Sequence, residues 1–383
     1  MNILITGAKG FVGKNLYARL KSIHKDDIAA GNFALFEYDM DTDPALLDGW
    51  CKEAGFVFHL AGVNRPESDE EFMAGNFGFT SRLLDRLKTH NNACPIMISS
   101  STQAALDNPY GRSKRAGEEL MFDYGRETGS QVYVYRLTNL FGKWCRPNYN
   151  SACATFCHNI ANGLEIQIRD RSATVCLCYI DDLIDELLLA LAGKPTRDGN
   201  FCKVLKDYTV SLGVLADLIY SFRDSRDNLS IPNQADEFTR KLYATYLSYL
   251  PEDKFSYPLK MNVDNRGSFT EFIRTPERGQ VSINISRPGI TKGDHWHDTK
   301  NEKFMVVSGS GVIRFRKIGE DKVIEYPVSG DELAVVDIPA GYTHSIENTG
   351  GDDMVTVMWA SEPFDPGRPD TVFEPVINSA AAT

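Results

Sequence analysis

Three of the chain's seven histidines fall into one pattern. His295 and His297 are two apart, so on a strand both side chains leave the same face while Trp296 leaves the other. Glu302 follows on the next apolar run, and His344 comes later, after Pro339-Ala-Gly341-Tyr-Thr. Three imidazoles and a carboxylate brought together by successive strands make an N3O set suited to a borderline divalent cation. Zn, Fe, Mn and Ni all fit such a set. The other four histidines, His24, His59, His90 and His158, are scattered.

A second constellation stands in Asn108-Pro109-Tyr110-Gly111-Arg112-Ser113-Lys114. Asn108 can cap a helix that Pro109 opens, and Tyr110 and Lys114 then lie four apart on one face. An ammonium beside a phenol favours the phenolate and lowers its pKa, which suits Tyr110 to give a proton to a carbonyl oxygen near neutral pH and be recharged. A third pattern opens the chain, where Thr6-Gly7-Ala8-Lys9-Gly10-Phe11-Val12-Gly13 joins an apolar run to the helical pattern Lys14 to Leu20. Glycines at such a junction let backbone N–H groups approach a pyrophosphate at the positive end of a helix. Their spacing, Gly-x-x-Gly-x-x-Gly, departs from the general dinucleotide fingerprint Gly-x-Gly-x-x-Gly. Lys9 between the first two glycines suits the 2'-phosphate of NADP, whereas Asp39, after the second apolar run, is the kind of carboxylate that NAD selection uses. We expect NADPH.

The elements that must hold these groups change character along the chain. Up to about residue 190, the runs 2–6, 34–38, 55–60, 95–99 and 131–135 alternate with helical patterns such as 79–88 and 114–125. Alternating strand and helix predicts a doubly wound parallel sheet. From about Phe255, short strands at 281–285, 303–307, 312–315, 333–338 and 354–359 are separated by Gly, Pro and Asp, the pattern of a small antiparallel barrel or jelly roll. Residues 195–250 read as mostly helical, and Leu250 to Asp253 as the hinge. The expected domains are therefore 1–250, α/β of Rossmann type, and 251–383, an all-β barrel. The tail Ser379 to Thr383 reads as frayed.

The glycine triplet with the Tyr-x-x-x-Lys pair resembles the extended short-chain dehydrogenase/reductase family over residues 1–245. That resemblance implies that Tyr110 is the general acid/base, that Lys114 binds the nicotinamide ribose, and that a hydroxyl at the end of the preceding strand orients the substrate carbonyl. Ser101 is chosen for that role, with Ser100 and Thr102 as alternatives. His59-Leu60-Ala61-Gly62 is similar to the family's segment beneath the cofactor, so the implied cofactor set is Gly7, Lys9, Gly10, Phe11, Val12, Gly13, Leu60, Ala61 and Lys114. The histidine pattern resembles the two-part motif of the cupin family over 256–370, which implies His295, His297, Glu302 and His344 around a metal, zinc by family preference, and Lys303 turned away. The second half departs in one place, since Leu333 stands where a glycine is expected and Gly330 lies nearby. A reductase joined to a cupin resembles bifunctional enzymes of capsular polysaccharide synthesis. This implies epimerisation at C3 of a UDP-2-acetamido-2,6-dideoxy-hexos-4-ulose by the cupin and NADPH reduction at C4. Two alternatives stay open: a cupin that only binds or dimerises beside a reductase or epimerase, and a cupin dioxygenase or isomerase of another compound.

Composition bounds the rest. The 383 residues carry a formal charge of -11, which argues against a phosphate-binding surface for nucleic acid. No apolar run reaches the roughly 18 to 20 residues that span a bilayer. All eight cysteines lie at or before Cys202 and are expected as reduced thiols. A cytoplasmic enzyme, a UDP-sugar substrate and a homodimer formed through the barrel are the corresponding expectations.

Overall fold

The computed structural model describes residues 1–66, 68–275, 277–367 and 369–377; the tail Ser379 to Thr383, expected to be frayed, lies outside the described residues. The chain divides into one unit of Met1–Tyr220 with Asp236–Pro251 and another of Ser221–Ala235 with Glu252–Thr383. A single boundary at 250 does not describe this, because Ser221–Ala235 belongs with the C-terminal unit.

In the first unit, five parallel strands stand in the order Ala34–Tyr38, Asn2–Thr6, Phe56–His59, Ile96–Ser101 and Val132–Leu137. Ile3, Leu4 and Ile5 are all fully buried, as a strand covered on both faces requires. Phe56, Phe58 and Tyr133 join the core on one face with the helix Ile180–Leu191, and Val57, Val134 and Leu84 join the other. The chain first moves outward from Asn2–Thr6 to Ala34–Tyr38 and then crosses to Phe56–His59, so the order reverses beside the first strand. Ligands of doubly wound sheets bind at such a reversal, beyond the C-terminal strand ends. The segment 195–250 is less helical than expected: Arg197–Asp198, Phe201–Cys202 and Tyr208–Ser211 are strands before the helices Leu212–Asn228 and Glu237–Leu247. Strands of two to four residues are too short to carry a periodic signal.

The second unit is built mainly of two antiparallel sheets. One sheet runs Met261–Asp264, Gly267–Thr275, Gly279–Ser286, Met354–Ala360, Glu302–Ser308 and Val336–Ile338. The other runs Val323–Ser329, Ser310–Lys317, Tyr342–Asn348, Thr291–Trp296 and Val372–Phe373. Phe304, Val306 and Met354 from the first sheet share a core with Ile313, Phe315 and Ile346 from the second. The strand expected at 333–338 begins only at Val336, and Leu333 and Val335 are exposed. Gly330 makes the close approach expected of the displaced glycine, since a Cβ there would lie 2.7 Å from Ser308 Cα.

Candidate active sites

The nucleotide turn is built from backbone. Gly7 has φ +71°, and a Cβ on it would lie 2.7 Å from Ala61 N, so the first turn and the Leu60-Ala61 segment can approach only through glycine. A Cβ on Gly13 would lie 2.2 Å from Gly7 O, which lets the helix Phe11–Ile23 start directly beneath the turn. Gly10 caps that helix without a side-chain bond, leaving the first-turn N–H groups of Phe11, Val12 and Gly13 for a ligand. Lys9 is exposed and ion-paired with Asp41, while its backbone N–H donates to Asp39 at 2.8 Å. The pair raises the Lys9 pKa, and Lys9 therefore sits among acids that compete with a 2'-phosphate.

The helix Pro109–Thr128 carries Tyr110 and Lys114. Asn108 accepts from Gly111 N–H at 2.7 Å as its cap, and Pro109 opens the first turn. Tyr110 OH donates to Asn64 Oδ1 at 3.2 Å. Lys114 is buried, donates to the Ser99 carbonyl at 3.2 Å and lies 5.8 Å from the Tyr110 ring centre. Its pKa falls to about 8 because burial disfavours the ammonium, with Glu118 acting in the opposite direction. A Cβ on Gly62 would come within 3.0 Å of Lys114 Nζ, so that glycine makes room for the ammonium. The expected depression of the Tyr110 pKa is not found. Burial pushes the phenol up and the Ser101 hydroxyl pulls it back, while the Lys114 ammonium is committed to Ser99 rather than to the phenol oxygen.

Of the three candidate hydroxyls, Ser100 is buried and donates to Glu118 at 2.5 Å, a carboxylate that also receives Arg136 at 2.9 and 2.6 Å. Thr102 begins a short 3-10 turn beyond the strand. Ser101 Oγ accepts from Gln103 N–H at 3.2 Å and draws the Tyr110 pKa down. Asn64 and Glu118 were invisible to sequence reasoning, since neither belongs to a recognised spacing; only the i, i+4 step from Lys114 to Glu118 offered a signal for the latter.

In the barrel, His295, His297, Glu302 and His344 each offer a ligand atom, all within 4.8 Å of one another. His297 Nε2 and His344 Nε2 approach Glu302 Oε2 at 3.5 and 3.3 Å, and none of these three buried atoms has a hydrogen-bond partner. Orphaned polar atoms converging in a buried pocket fit a bound cation. His297 Nδ1 bonds the Asp370 carbonyl, which leaves Nε2 as the ring's acceptor. Burial lowers the His295 pKa to about 4, helped by His344 and His297. Burial alone would raise the Glu302 carboxyl, but His297 and His344 outweigh it and hold it at about 2. Lys303 is turned away and pairs with Asp337. The eight cysteines are free, and none joins a ligand group among the described residues.

A doubly wound sheet with a glycine turn at its reversal point, followed by an all-β barrel, places the chain among NAD(P)-dependent short-chain oxidoreductases fused to a cupin-like module. Residues 3–201 match the NAD dependent epimerase/dehydratase family, to which the chain belongs, and residues 262–372 match the polysaccharide biosynthesis C-terminal domain. It is similar to the UDP-2-acetamido-2,6-beta-L-arabino-hexul-4-ose reductase of Pseudomonas aeruginosa, 43% identical over 97% of this chain and 98% of the relative. Among solved structures it resembles the capsular polysaccharide assembling protein CapF from Staphylococcus aureus, at 55% identity and a TM-score of 0.92, covering 98% of this chain and 100% of that one. The UDP-glucuronic acid 4-epimerase of Bacillus cereus, with NAD, shares the fold alone at 19% identity and a TM-score of 0.51, covering 65% of this chain and 98% of that one.

Proposed function

We propose that the chain carries out two consecutive reactions on one nucleotide sugar of capsular polysaccharide synthesis. The barrel inverts C3 of a UDP-2-acetamido-2,6-dideoxy-hexos-4-ulose, and the N-terminal unit reduces the C4 ketone with NADPH to UDP-2-acetamido-2,6-dideoxy-L-talose, a precursor of N-acetyl-L-fucosamine. The observation that carries this reading is the 43% identity to a UDP-hexul-4-ose reductase along both modules. The order follows from the chemistry. The C3 proton is acidic only while C4 is a ketone, so inversion must precede reduction.

In the reductase site, a bound NADPH would supply hydride to C4, and Tyr110 OH would give its proton to O4, replacing its present bond to Asn64. Lys114 holds the nicotinamide ribose, and Ser101 positions the carbonyl against Tyr110. Gly7, Lys9, Gly10, Phe11, Val12, Gly13, Leu60 and Ala61 cradle the dinucleotide. His295, His297, Glu302 and His344 would hold a divalent ion, zinc by family likeness, which supplies Lewis acidity toward the C4 carbonyl oxygen. The eight free thiols support a cytoplasmic setting. Exposed Met261 and Val263 on an edge strand support a homodimer formed through the barrel.

The test is incubation of the UDP-keto sugar with NADPH in heavy water, followed by NMR. Deuterium at C3 with stoichiometric loss of NADPH absorbance is expected. Product without deuterium refutes the epimerisation, and unchanged absorbance refutes the reduction.

A further inference from the structure

The barrel encloses a cavity of about 590 Å3 whose wall includes the candidate metal ligands and also Lys292, a group with no role assigned above. Lys292 lies on the strand Thr291–Trp296, three residues before His295. On a regular strand, positions an odd number apart face opposite sides of the sheet. These two share the cavity because the ladder slips: Gly293 pairs with Ser345 and His295 with His344, leaving Asp294 as the extra residue. Asp294 has φ 57° and Gly293 φ 107°. A side chain at Gly293 would come within 2.7 Å of the His344 carbonyl, so the bulge needs glycine there. Asp294 is held in its costly conformation by bonds from Val376 N–H at 3.1 Å to its carboxylate and from Glu374 N–H at 2.8 Å to its carbonyl. Bulges of this kind re-aim side chains beside active sites.

Lys292 Nζ donates to Asn284 Oδ1 and to the Ile285 carbonyl, both at 2.8 Å. Both partners are neutral oxygens, unlike the carboxylates that meet Lys241 and Lys303. A neutral amine has two N–H groups and one lone pair, so these two bonds satisfy the neutral form and leave the lone pair free. Burial draws the lysine below its ordinary pKa, opposed by Asp264 and reinforced by Arg266.

We propose that Lys292 is the general base of the C3 epimerisation. This rests on the function proposed above. The C3–H bond breaks and its proton passes to neutral Nζ, while the electron pair forms the C3–C4 double bond and leaves the charge on O4. Water on the opposite face then protonates C3, and the resulting hydroxide recovers the proton from the Lys292 ammonium. The amine and the ketone are both regenerated.

Wild-type protein is first incubated with the keto sugar in heavy water without NADPH; absence of C3 deuterium refutes the epimerase reading itself, whatever Lys292 does. Given wild-type exchange, Lys292→Met should slow it at least about 100-fold, with thermal melting and bound metal, by elemental analysis, unchanged. Added ethylamine should restore exchange in Lys292→Ala in proportion to free amine. Exchange within a few fold of wild type, or an effect confined to KM, overturns the proposal. Where Lys292→Met loses its fold or its metal, Lys292→Arg replaces it, since a guanidinium keeps the length and the donors but stays charged. Lost exchange in that variant supports the base assignment, and retained exchange overturns it.

Discussion

Lys114 should destabilise the protein that needs it. Its pKa falls from 10.5 to about 8 on burial, which at about 1.4 kcal/mol per tenfold change in proton affinity corresponds to about 3 kcal/mol. Below pH 8, the folded and unfolded chains both carry the ammonium, and the whole penalty is present. Between pH 8 and 10.5, the unfolded chain keeps a proton that the folded chain has shed, so stability rises with pH; above that range the penalty is gone. Lys114→Met removes the titration and costs only the bond to Ser99, about 1 kcal/mol. The net gain at pH 7 is about 2 kcal/mol. The cysteines supply a local assay, since all eight lie at or before Cys202, and Cys51, Cys153 and Cys157 are fully buried. A thiol reagent therefore reports opening of the N-terminal unit alone, and labelling of these sites at pH 7 should slow about 30-fold in Lys114→Met. The ratio of wild-type to variant rates should shrink as pH rises toward 9.5. Equal rates at pH 7, or a ratio that stays flat, would refute the account of a buried, unwelcome ammonium.

Tyr110→Phe should lose NADPH oxidation by about 100-fold or more while C3 deuterium exchange continues, which absorbance and NMR can follow on the same sample. Lys9→Ala should raise KM for NADPH several-fold more than for NADH, and Asp41→Ala, which frees Lys9 from its ion pair, should lower KM for NADPH; equal effects on both coenzymes would remove Lys9 from 2'-phosphate selection. Glu302→Gln should reduce bound divalent metal by elemental analysis, because it removes the carboxylate facing His297 and His344, and should leave the glycine turn's coenzyme affinity unchanged in titration.

What could be read ahead of the structure had local causes. The fully buried Ile3-Leu4-Ile5 run and the glycine turn after it were legible because a strand covered on both faces and a close backbone approach each demand a narrow set of residues. The histidine spacing was legible because strand periodicity puts His295 and His297 on one side. Features set by distant partners were hidden. The Lys114 ammonium points at a carbonyl contributed by another strand, so the expected effect on Tyr110 failed although the helix spacing held. Leu333 and Val335 read as strand yet lie exposed ahead of Val336. Period-two reasoning sends Lys292 to the opposite face from His295, and only the bulge at Asp294 reverses that.

The stretch from Asp370 to Val376 gives the barrel a late step in synthesis. The Asp370 carbonyl fixes the His297 ring, Val372–Phe373 pairs with His295–Trp296, and Arg316 bonds the carbonyls of Pro375 and Val376. A ribosome has made every side chain of the ligand set once His344 is added, but the strand that braces two of those histidines is still inside it. The nascent barrel therefore cannot complete its cation site while that segment remains in the exit tunnel, whereas the nucleotide-binding unit has its last segment by Pro251. Birth order separates the two sites: the nucleotide-binding unit has all its segments before the strand that braces the barrel's histidines is made.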